Sequence, residues 1–509
     1  MHVVTAEEMK KLELETIQQI HIPAILLMEN AGRGVAEAVL REAKSSGSRW
    51  LVLAGKGNNG ADGVVAARQL AEAGLEMSII YAEEPDDYGS GEALLQRDIA
   101  QEWGIPFAAA GDAPVEWWHY DGIIDALLGT GSKGAPRRKY AELITEANES
   151  GLPIVSVDIP SGIDADTGEV YIPCIKAKQT ISFAFYKRGL LQFPGAAQAG
   201  TIEICPIGIP AKLAVKHDIR TFRLDEFLLK QRLAVATNGT RTADAHKGSY
   251  GHVLLAAGSR SMSGAGLLSS KAALRGGCGL ATWALPEQAA RLMPGHLPEL
   301  MLAALGGAGA AEWSGVQPEE LLALAAGKDA LVIGPGLGRW EADGSWLRSV
   351  WEGTACPLVV DADALNMLAD AKDWTSWTQR QAPVILTPHP GEMARLAGIS
   401  VSDVQRDRVS LARSFASQHG VTLVLKGAGT VVATPEGYVY LNTTGNPGMA
   451  TGGSGDVLAG LIGSLLAQGF RAEQAAAFGV YSHGAAGDRA AAKRHSPGSL
   501  IAGDIIEEL

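Results

Sequence analysis

Cysteine is scarce in this chain: 509 residues hold only Cys174, Cys205, Cys278 and Cys356, and no two of them form a CxxC pair. Neither a zinc ligand set nor a disulfide framework can be read from such spacing, so a reducing cytoplasm is the expected setting. Long apolar runs are missing as well. None approaches the ~20 residues that a membrane helix requires, and a membrane is not an expected partner. Nor is there a dense Lys/Arg block to follow a phosphate backbone. Asp plus Glu outnumber Lys plus Arg by 56 to 43, a formal charge of -13, so nucleic acid is not an expected partner either. The opening MHVVTAEEMKKLE has neither the apolar segment of a signal peptide nor the Arg-rich, acid-poor look of a transit peptide. A protein that stays in the cytoplasm is the expectation.

What the chain does have is length and glycine. At a prior of about 150 residues per domain, it should form two large or three ordinary domains, each with a sizeable core. Apolar residues at 47% and charged residues at 19% describe a globular protein. Glycine, with 62 residues, stands well above its usual share of about 7%. The glycines keep no fixed period and sit in clusters. Most clusters follow a short Val/Ile/Leu-rich run and precede a helix-like segment, which is the pattern of a parallel sheet with its loops at the carboxyl ends of the strands. The chain reads as α/β throughout.

In the first half, strand-like runs fall at Trp50 to Ala54, Met77 to Tyr81, Gly122 to Asp125, Ile154 to Asp158 and Thr180 to Phe185, with a helical pattern over Asp62 to Ala73. They make one Rossmann-like, three-layer domain, expected over residues 1–215. The stretch from Pro206 to Arg223, with GIPAK and KHDIR, keeps neither a helical nor a strand period and marks the boundary. A larger domain, 216–509, is expected to follow. Its strands fall at His252 to Ala257, Ala330 to Ile333, Leu358 to Val360, Val384 to Leu386 and Leu423 to Leu425. TVVATPEGYVYLN reads as a hairpin around PEG, and helical stretches start at Asp456 and Glu473. The Ala-rich segment Leu302 to Ala311 reads as helix or loop.

The first chemical signal is GKGNNGADG, with Gly55, Gly57, Gly60 and Gly63 between a buried strand and an amphipathic helix. Glycine lets the backbone approach a phosphate, and helix N-terminal amides supply positive partial charge. Asn58, Asn59 and Asp62 add polar side chains that an ordinary dinucleotide finger does not need. A tight strand-to-helix turn with Asp62 near the helix start is the plainer reading. Two more strand ends carry oxygen: Asp125 before ALLGTGSKGAP, and Asp158 with Ser161 in VDIPSG. Converging at the carboxyl edge of a sheet, they would form an oxygen-lined cation site. Taken singly, Asp125 reads equally as a helix cap, Ser161 as a turn former and Asp158 as a buried, hydrogen-bonded carboxylate. Lys187, in FYKRG, reads as a solvated surface lysine ahead of any acid/base role.

GKGNNGADG, DALLGTG and VDIPSG, in this order over roughly the first 215 residues, resemble the NAD(P)H-hydrate epimerase (YjeF N-terminal) family. The resemblance implies that Asn58, Asn59, Gly60, Ala61 and Asp62, with Gly129, Thr130, Gly131, Ser132, Lys133, Gly134 and Ala135, hold the hydrated dinucleotide, and that Asp158 also touches it. Asn59, Asp125 and Ser161 would bind potassium. One departure is Ala61, where the family usually has a second glycine after NNG; a methyl there would crowd the phosphates. The hydroxyl-bearing carbon of the hydrate is attached to the ring nitrogen. General acid help can therefore open it to an iminium-like species that re-adds water from either face, with Asp158 as the acid/base.

The second signal is NTTGNPGMATGGSGDVLAGLIGSLLAQG, from Asn442 to Gly469. Glycines at 445, 448, 452, 453 and 455 would leave backbone amides free ahead of an apolar helix, and Asp456 at its mouth would serve as base for a nearby hydroxyl. A plain cap explains Asp456 but not the glycines. LVLKGAGTVVAT places Lys426, Gly427, Ala428, Gly429 and Thr430 at a strand end suited to a nucleotide's phosphates, or to a simple β-turn. A small-residue loop surrounds Ala265. GPGLG ends at Gly338, and TPHPGE carries His389, which alone would read as a structural histidine.

These motifs, over about Phe222 to Leu509, resemble the ribokinase-like superfamily, and HPGE with KGAGT and NPGMATGGSGDVLAG is similar to the ADP-dependent NAD(P)H-hydrate dehydratase family. The resemblance implies that Ala265, Gly338, His389 and Asp456 contact the hydrate, that Lys426 to Thr430 and Gly455 hold ADP as co-substrate, and that Mg2+ accompanies the phosphates. Asp456 would activate the hydrate's hydroxyl for phosphorylation, and phosphate would then leave where hydroxide leaves poorly. The expectation is a bifunctional enzyme acting on NADH and NADPH hydrates, assembled as a homo-oligomer. Two rivals stay open: a small-molecule kinase with an accessory N-terminal domain, whose product would be a stable phosphorylated alcohol, and a nucleotide-sensing module without catalysis.

Overall fold

The computed structural model describes residues 1–43, 47–84, 91–237, 239–293 and 297–509. The chain divides into two compact units, Met1–Thr221 and Phe222–Leu509.

In the first unit seven strands form one sheet: β1 (Arg49–Ala54), β2 (Glu76–Tyr81), β3 (Phe107–Ala109), β4 (Gly122–Ala126), β5 (Ile154–Val157), β6 (Gln179–Phe183) and β7 (Thr201–Cys205). Their order is β3-β2-β1-β4-β5-β6-β7, and every neighbouring pair is parallel. Successive side chains of a strand point to opposite faces, and β1 displays this directly. Trp50, Val52 and Ala54 pack with helices Ala24–Glu42 and Asn58–Glu72 on one side, while Leu51 and Leu53 pack with Leu143, Ile144 and Ala147 of helix Lys139–Glu149 on the other. Helices on both faces make the expected three layers. The glycine-loop helix begins at Asn58, four residues before the expected Asp62, because Gly57 is already extended and Ala61 N–H donates to its carbonyl at 3.2 Å.

The second unit holds a ten-stranded sheet: β8 (Thr221–Leu224), β9 (His252–Ala256), β10 (Leu280–Pro286), β11 (Met301–Leu305), β12 (Ala330–Ile333), β13 (Leu358–Val360), β14 (Val384–Leu386), β15 (Thr422–Leu425), β16 (Val431–Ala433) and β17 (Val439–Asn442), in the order β8-β17-β16-β15-β14-β13-β12-β9-β10-β11. From β15 to β11 the strands run parallel; β15, β16 and β17 pair antiparallel, with the expected hairpin around PEG. One reading needs correction. Leu302 to Ala311 is not helix or loop at its start: Met301–Leu305 is a sheet strand. Its Ala and Leu residues favour helix locally, and ladder pairing to β10 overrides that weak preference. The stretch from Pro206 to Arg223 holds a short helix, Lys212–Lys216, and the start of β8.

Helix Ser454–Ala467 is buried at every position from Val457 to Ala467, as its apolar circumference requires. It crosses helix Ser263–Arg275 so closely that a Cβ on Gly460 would stand 2.0 Å from the Ser269 carbonyl oxygen. Leu458, Ile462 and Leu465 pack with Val253 and Leu255 of β9. The start of the helix is thereby anchored above the sheet. Among the described residues no helix is long and apolar enough to cross a membrane.

Candidate active sites

In the first unit the chain steps from β1 outward to β3 and then returns to β4 on the other side of β1. The loops after β1 and β4 therefore diverge around a crevice at the carboxyl ends of the strands. The approach of these loops requires glycine, since a Cβ on Gly55 would lie 2.0 Å from the Leu127 carbonyl oxygen. Here a cavity of about 440 Å3 opens, lined among others by Asn58, Asn59, Asp62, Gly129, Thr130, Gly131, Ser132 and Asp158. Gly60 and Ala61 do not line it. Ala61 is buried against Met28 and Val65, so its methyl group faces the core rather than the crevice. Lys133, Gly134 and Ala135 are exposed further along the same loop.

Beneath the cavity the three strand ends do converge. Asp125 is fully buried; its Oδ2 accepts from Ser156 Oγ at 2.8 Å and from Ser161 N–H at 2.9 Å, and its Oδ1 from Ser161 Oγ at 2.6 Å. Burial pushes this carboxyl upward, and the donors from Ser161, Ser156 and Leu127 partly pull it back. Leu128 N–H donates to Ser161 Oγ at 2.9 Å, and the next residue, Gly129, lies against Asn59, whose buried Nδ2 has no partner among the described residues.

Asp158 sits just past β5 with φ of 63°, a left-handed conformation uncommon outside glycine that tends to mark functional positions. Its Oδ1 accepts from Phe183 N–H at 2.9 Å and pairs with the ammonium of Lys187. The surface reading of Lys187 is wrong. The residue is wholly buried, and its Nζ also donates to the Phe183 carbonyl at 2.8 Å and to Ser182 Oγ at 3.2 Å. A buried ammonium requires this many partners. Sequence reading missed Glu13 altogether. From helix Ala6–Gln18 it reaches the same cavity, and burial, reinforced by Asp158, pushes its carboxyl up. Asp62 is pushed well up for the same reasons, burial first and then the charges of Asp158 and Glu13.

The second unit repeats the switch-point layout: β9, β10 and β11 run outward, and β12 returns on the other side of β9. The loop after β9 is clamped by two buried tryptophans, Trp283 donating to the Ala257 carbonyl at 2.7 Å and Trp313 to that of Gly258 at 2.6 Å. Gly258 N–H meets the Pro335 carbonyl at 2.6 Å, which ties this loop to GPGLG. Ala265 lies in the helix that follows, and Gly338 donates to Asp363 Oδ2 at 2.8 Å.

Asp456 lies in the first turn of helix Ser454–Ala467, whose N-cap is Gly453; no side chain caps it, so the first-turn amides face outward. Asp456 is half-buried, and desolvation, with repulsion from Asp361, pushes its carboxyl up to about 6. Lys426 pairs with Asp361 at 2.6 Å and lies 4.0 Å from Glu392. Burial opposes its charge, but the two carboxylates outweigh that and raise its pKa. A Cβ on Gly455 would stand 3.3 Å from Lys426 Nζ, which places the KGAGT lysine at the mouth of the glycine run. Within KGAGT, Thr430 Oγ1 donates to the Gly427 carbonyl at 2.9 Å. Arg408, buried, holds the loop from below through the Leu425 and Lys426 carbonyls at 3.0 and 3.3 Å. Asp361 and Arg408, which belong to no motif singled out in the sequence, join this cluster. His389 caps helix Pro390–Ala397: its Nδ1 accepts from Gly391 and Glu392 N–H at 3.0 and 3.3 Å, and burial with nearby Lys426 lowers its pKa. Glu392 is pushed up to about 7 by burial.

Two α/β units, each with polar and charged groups gathered at a topological switch point, have the layout of a two-site enzyme of the α/β class. Comparison with known proteins identifies which one. Residues 253–509 match the NAD(P)H-hydrate dehydratase family, and residues 24–189 match the YjeF-related protein N-terminus. The chain is 41% identical to the bifunctional NAD(P)H-hydrate repair enzyme of Moorella thermoacetica, over all of this chain and 96% of that one. It is 36% identical to the enzyme of the same name from Escherichia coli, over 99% and 92%. A solved ADP/ATP-dependent NAD(P)H-hydrate dehydratase from Bacillus subtilis, co-crystallised with ATP/Mg2+, shares 34% identity, covering 53% of this chain and 91% of that one, with a TM-score of 0.46. The chain belongs to the bifunctional NAD(P)H-hydrate repair enzymes.

Proposed function

We propose that the first unit interconverts (R)- and (S)-NAD(P)H hydrates and that the second dehydrates the S form at the expense of ADP, giving NAD(P)H, AMP and phosphate. The observation that carries this reading is Asp456, a raised carboxyl on an uncapped helix start beside a buried lysine. An anion hole with a base at its mouth suits phosphoryl transfer to a hydroxyl. Asp456 takes the hydroxyl proton as the oxygen attacks the nucleotide's terminal phosphorus. The carbon–oxygen bond then breaks with its electron pair leaving on phosphate, the ring nitrogen's lone pair forms the iminium, and loss of a proton from the adjacent carbon restores the dihydropyridine. Lys426 to Thr430 and Gly455 receive the nucleotide's phosphates, while Ala265, Gly338 and His389 receive the hydrate. Asp361 and Glu392 are hard oxygen donors beside Lys426 and fit Mg2+, which would neutralise charge on the phosphates.

In the first unit Asn58, Asn59, Asp62, Gly129 to Ser132 and Asp158 receive the dinucleotide, with Gly60 and Ala61 shaping the helix start and Lys133 to Ala135 at the outer end. The oxygens of Asp125 and Ser161, with the Asn59 side-chain oxygen, are the donors that would hold K+, which would fix the phosphate-side loops. Asp158 transfers a proton to or from the oxygen borne by the reacting carbon. The setting is the cytoplasm, which four unpaired cysteines suit, and the assembly a homo-oligomer. The test follows NADH absorbance during incubation of mixed R and S hydrates with ADP, ATP or no nucleotide. Nucleotide-dependent recovery of both epimers with release of inorganic phosphate supports the reading. A stable phosphorylated alcohol would support the kinase instead.

A further inference from the structure

Asp62 is 9% exposed and lines the first unit's cavity, yet among the described residues its carboxyl group has no hydrogen-bond donor and no ion pair, Lys187 acting on it only through its charge. That is an unusual state for a buried polar group, which ordinarily has a partner. Its surroundings contrast with those of Asp158, which lines the same cavity. Asp158 is held by the Lys187 ammonium and the Phe183 N–H. Asp62 faces two further carboxyls, Asp158 and Glu13, in a desolvated wall, which favours the neutral acid. One carboxyl tied to an ammonium and a backbone donor, and another in the same cavity with no donor, are placed to take different parts in one proton-transfer reaction.

We propose that Asp62 is the second proton-transferring carboxyl of this cavity, working opposite Asp158. The inference rests on the epimerase reading of the first unit. In the R-to-S direction Asp62 gives its proton to the departing hydroxyl as the carbon–oxygen bond breaks, the electron pair going to oxygen and the ring nitrogen's lone pair forming the iminium. A water molecule then adds on the other face, its oxygen bonding to carbon and its proton passing to Asp158. Water in the cavity returns the proton, and in the S-to-R direction the two carboxyls exchange roles.

The other titratable groups facing Asp62 are Glu13, Asp158 and Lys187, with Lys56, Glu92 and Tyr140 on the cavity wall. The test uses the full chain with ADP and excess mixed hydrates, where NADH recovery is fast from S and then limited by R-to-S conversion. Asp62→Asn is expected to slow the second phase by about 10²- to 10⁴-fold toward the uncatalysed rate, in kcat rather than KM. It should also erase the fall in R-to-S rate that wild-type protein shows as pH rises through the titration of its acid. Asp62→Glu should recover part of the rate with a displaced profile. A second phase within a few-fold of wild type, an unchanged pH profile, or a loss confined to KM would each overturn the assignment while leaving the epimerase reading standing. Wild-type protein that converts R no faster than buffer would remove that reading itself, and the inference with it.

Discussion

Each unit brings a lysine and an aspartate together at strand ends, but the two lysines are committed differently. In the first, Lys187 is wholly buried and pairs directly with Asp158, the residue assigned to the chemistry. In the second, Lys426 pairs with Asp361, leaving Asp456 beside a second carboxylate and pushed up to about 6. The difference follows from what each reaction asks. An epimerisation shuttles a proton with no net change, so a carboxyl committed to a lysine is served by a second proton-transferring group in the cavity. A phosphoryl transfer needs one base whose affinity for a proton is raised enough to take it from an alcohol, and a lysine near the phosphates that is not bound to that base. Similar side chains at similar places in similar sheets are thus committed differently through the choice of lysine partner.

The strongest way to break this contrast is Asp456→Asn. ADP-dependent NADH recovery from the S hydrate should fall by about 10²- to 10⁴-fold, the usual worth of a general base, while R/S interconversion followed by chromatography continues. Unchanged recovery would sink the role of Asp456. Next comes Lys187→Met, which strands a buried carboxylate. Removing one partner of such a pair costs about 3–5 kcal/mol, to be read as faster amide exchange in β5 and β6. Adding Asp158→Asn should return much of that protection, because no uncompensated charge then remains; a double variant no better protected than Lys187→Met would argue against the pairing.

The third prediction concerns pH. Because the folded pKa of Asp456 lies above the unfolded carboxylate value, the folded state holds a proton that the unfolded state has lost, and ionising Asp456 weakens the fold as pH rises from about 4 through 6. The second unit of Asp456→Asn should therefore melt higher than wild type at pH 8, with the gain gone by pH 4. A gain independent of pH would exclude desolvated charge as its cause. The smallest effect belongs to His389. Loss of its cap in His389→Ala should cost about 1 kcal/mol, whereas His389→Asn keeps an acceptor for the helix and should change only KM for the hydrate.

Much of the fold was legible because glycine clusters and β-branched runs report strand ends directly, and Asn59, Asp125, Asp158, Lys426 and Asp456 do lie at the carboxyl ends of strands or in the loops and helix starts that follow them. What escaped was set by tertiary context. Met301–Leu305 looks helical until paired with β10. Lys187 looks like any surface lysine because its burial depends on Asp158, Ser182 and Phe183 arriving from other segments. Glu13 belongs to an amphipathic helix whose polar face reads as solvated, and Arg408 and Asp361 sit in no motif. The FYKRG lysine carried the one usable hint: a basic residue directly after a buried strand.

The crossing at Gly460 reaches beyond packing. Its missing side chain lets one helix rest on the Ser269 backbone, and four residues away the same helix presents Asp456. A single methyl group at 460 would act as a wedge, levering the helix off its seat and tilting the carboxylate away from its target, so that an alteration wholly inside the apolar interior would register as a fault in catalysis.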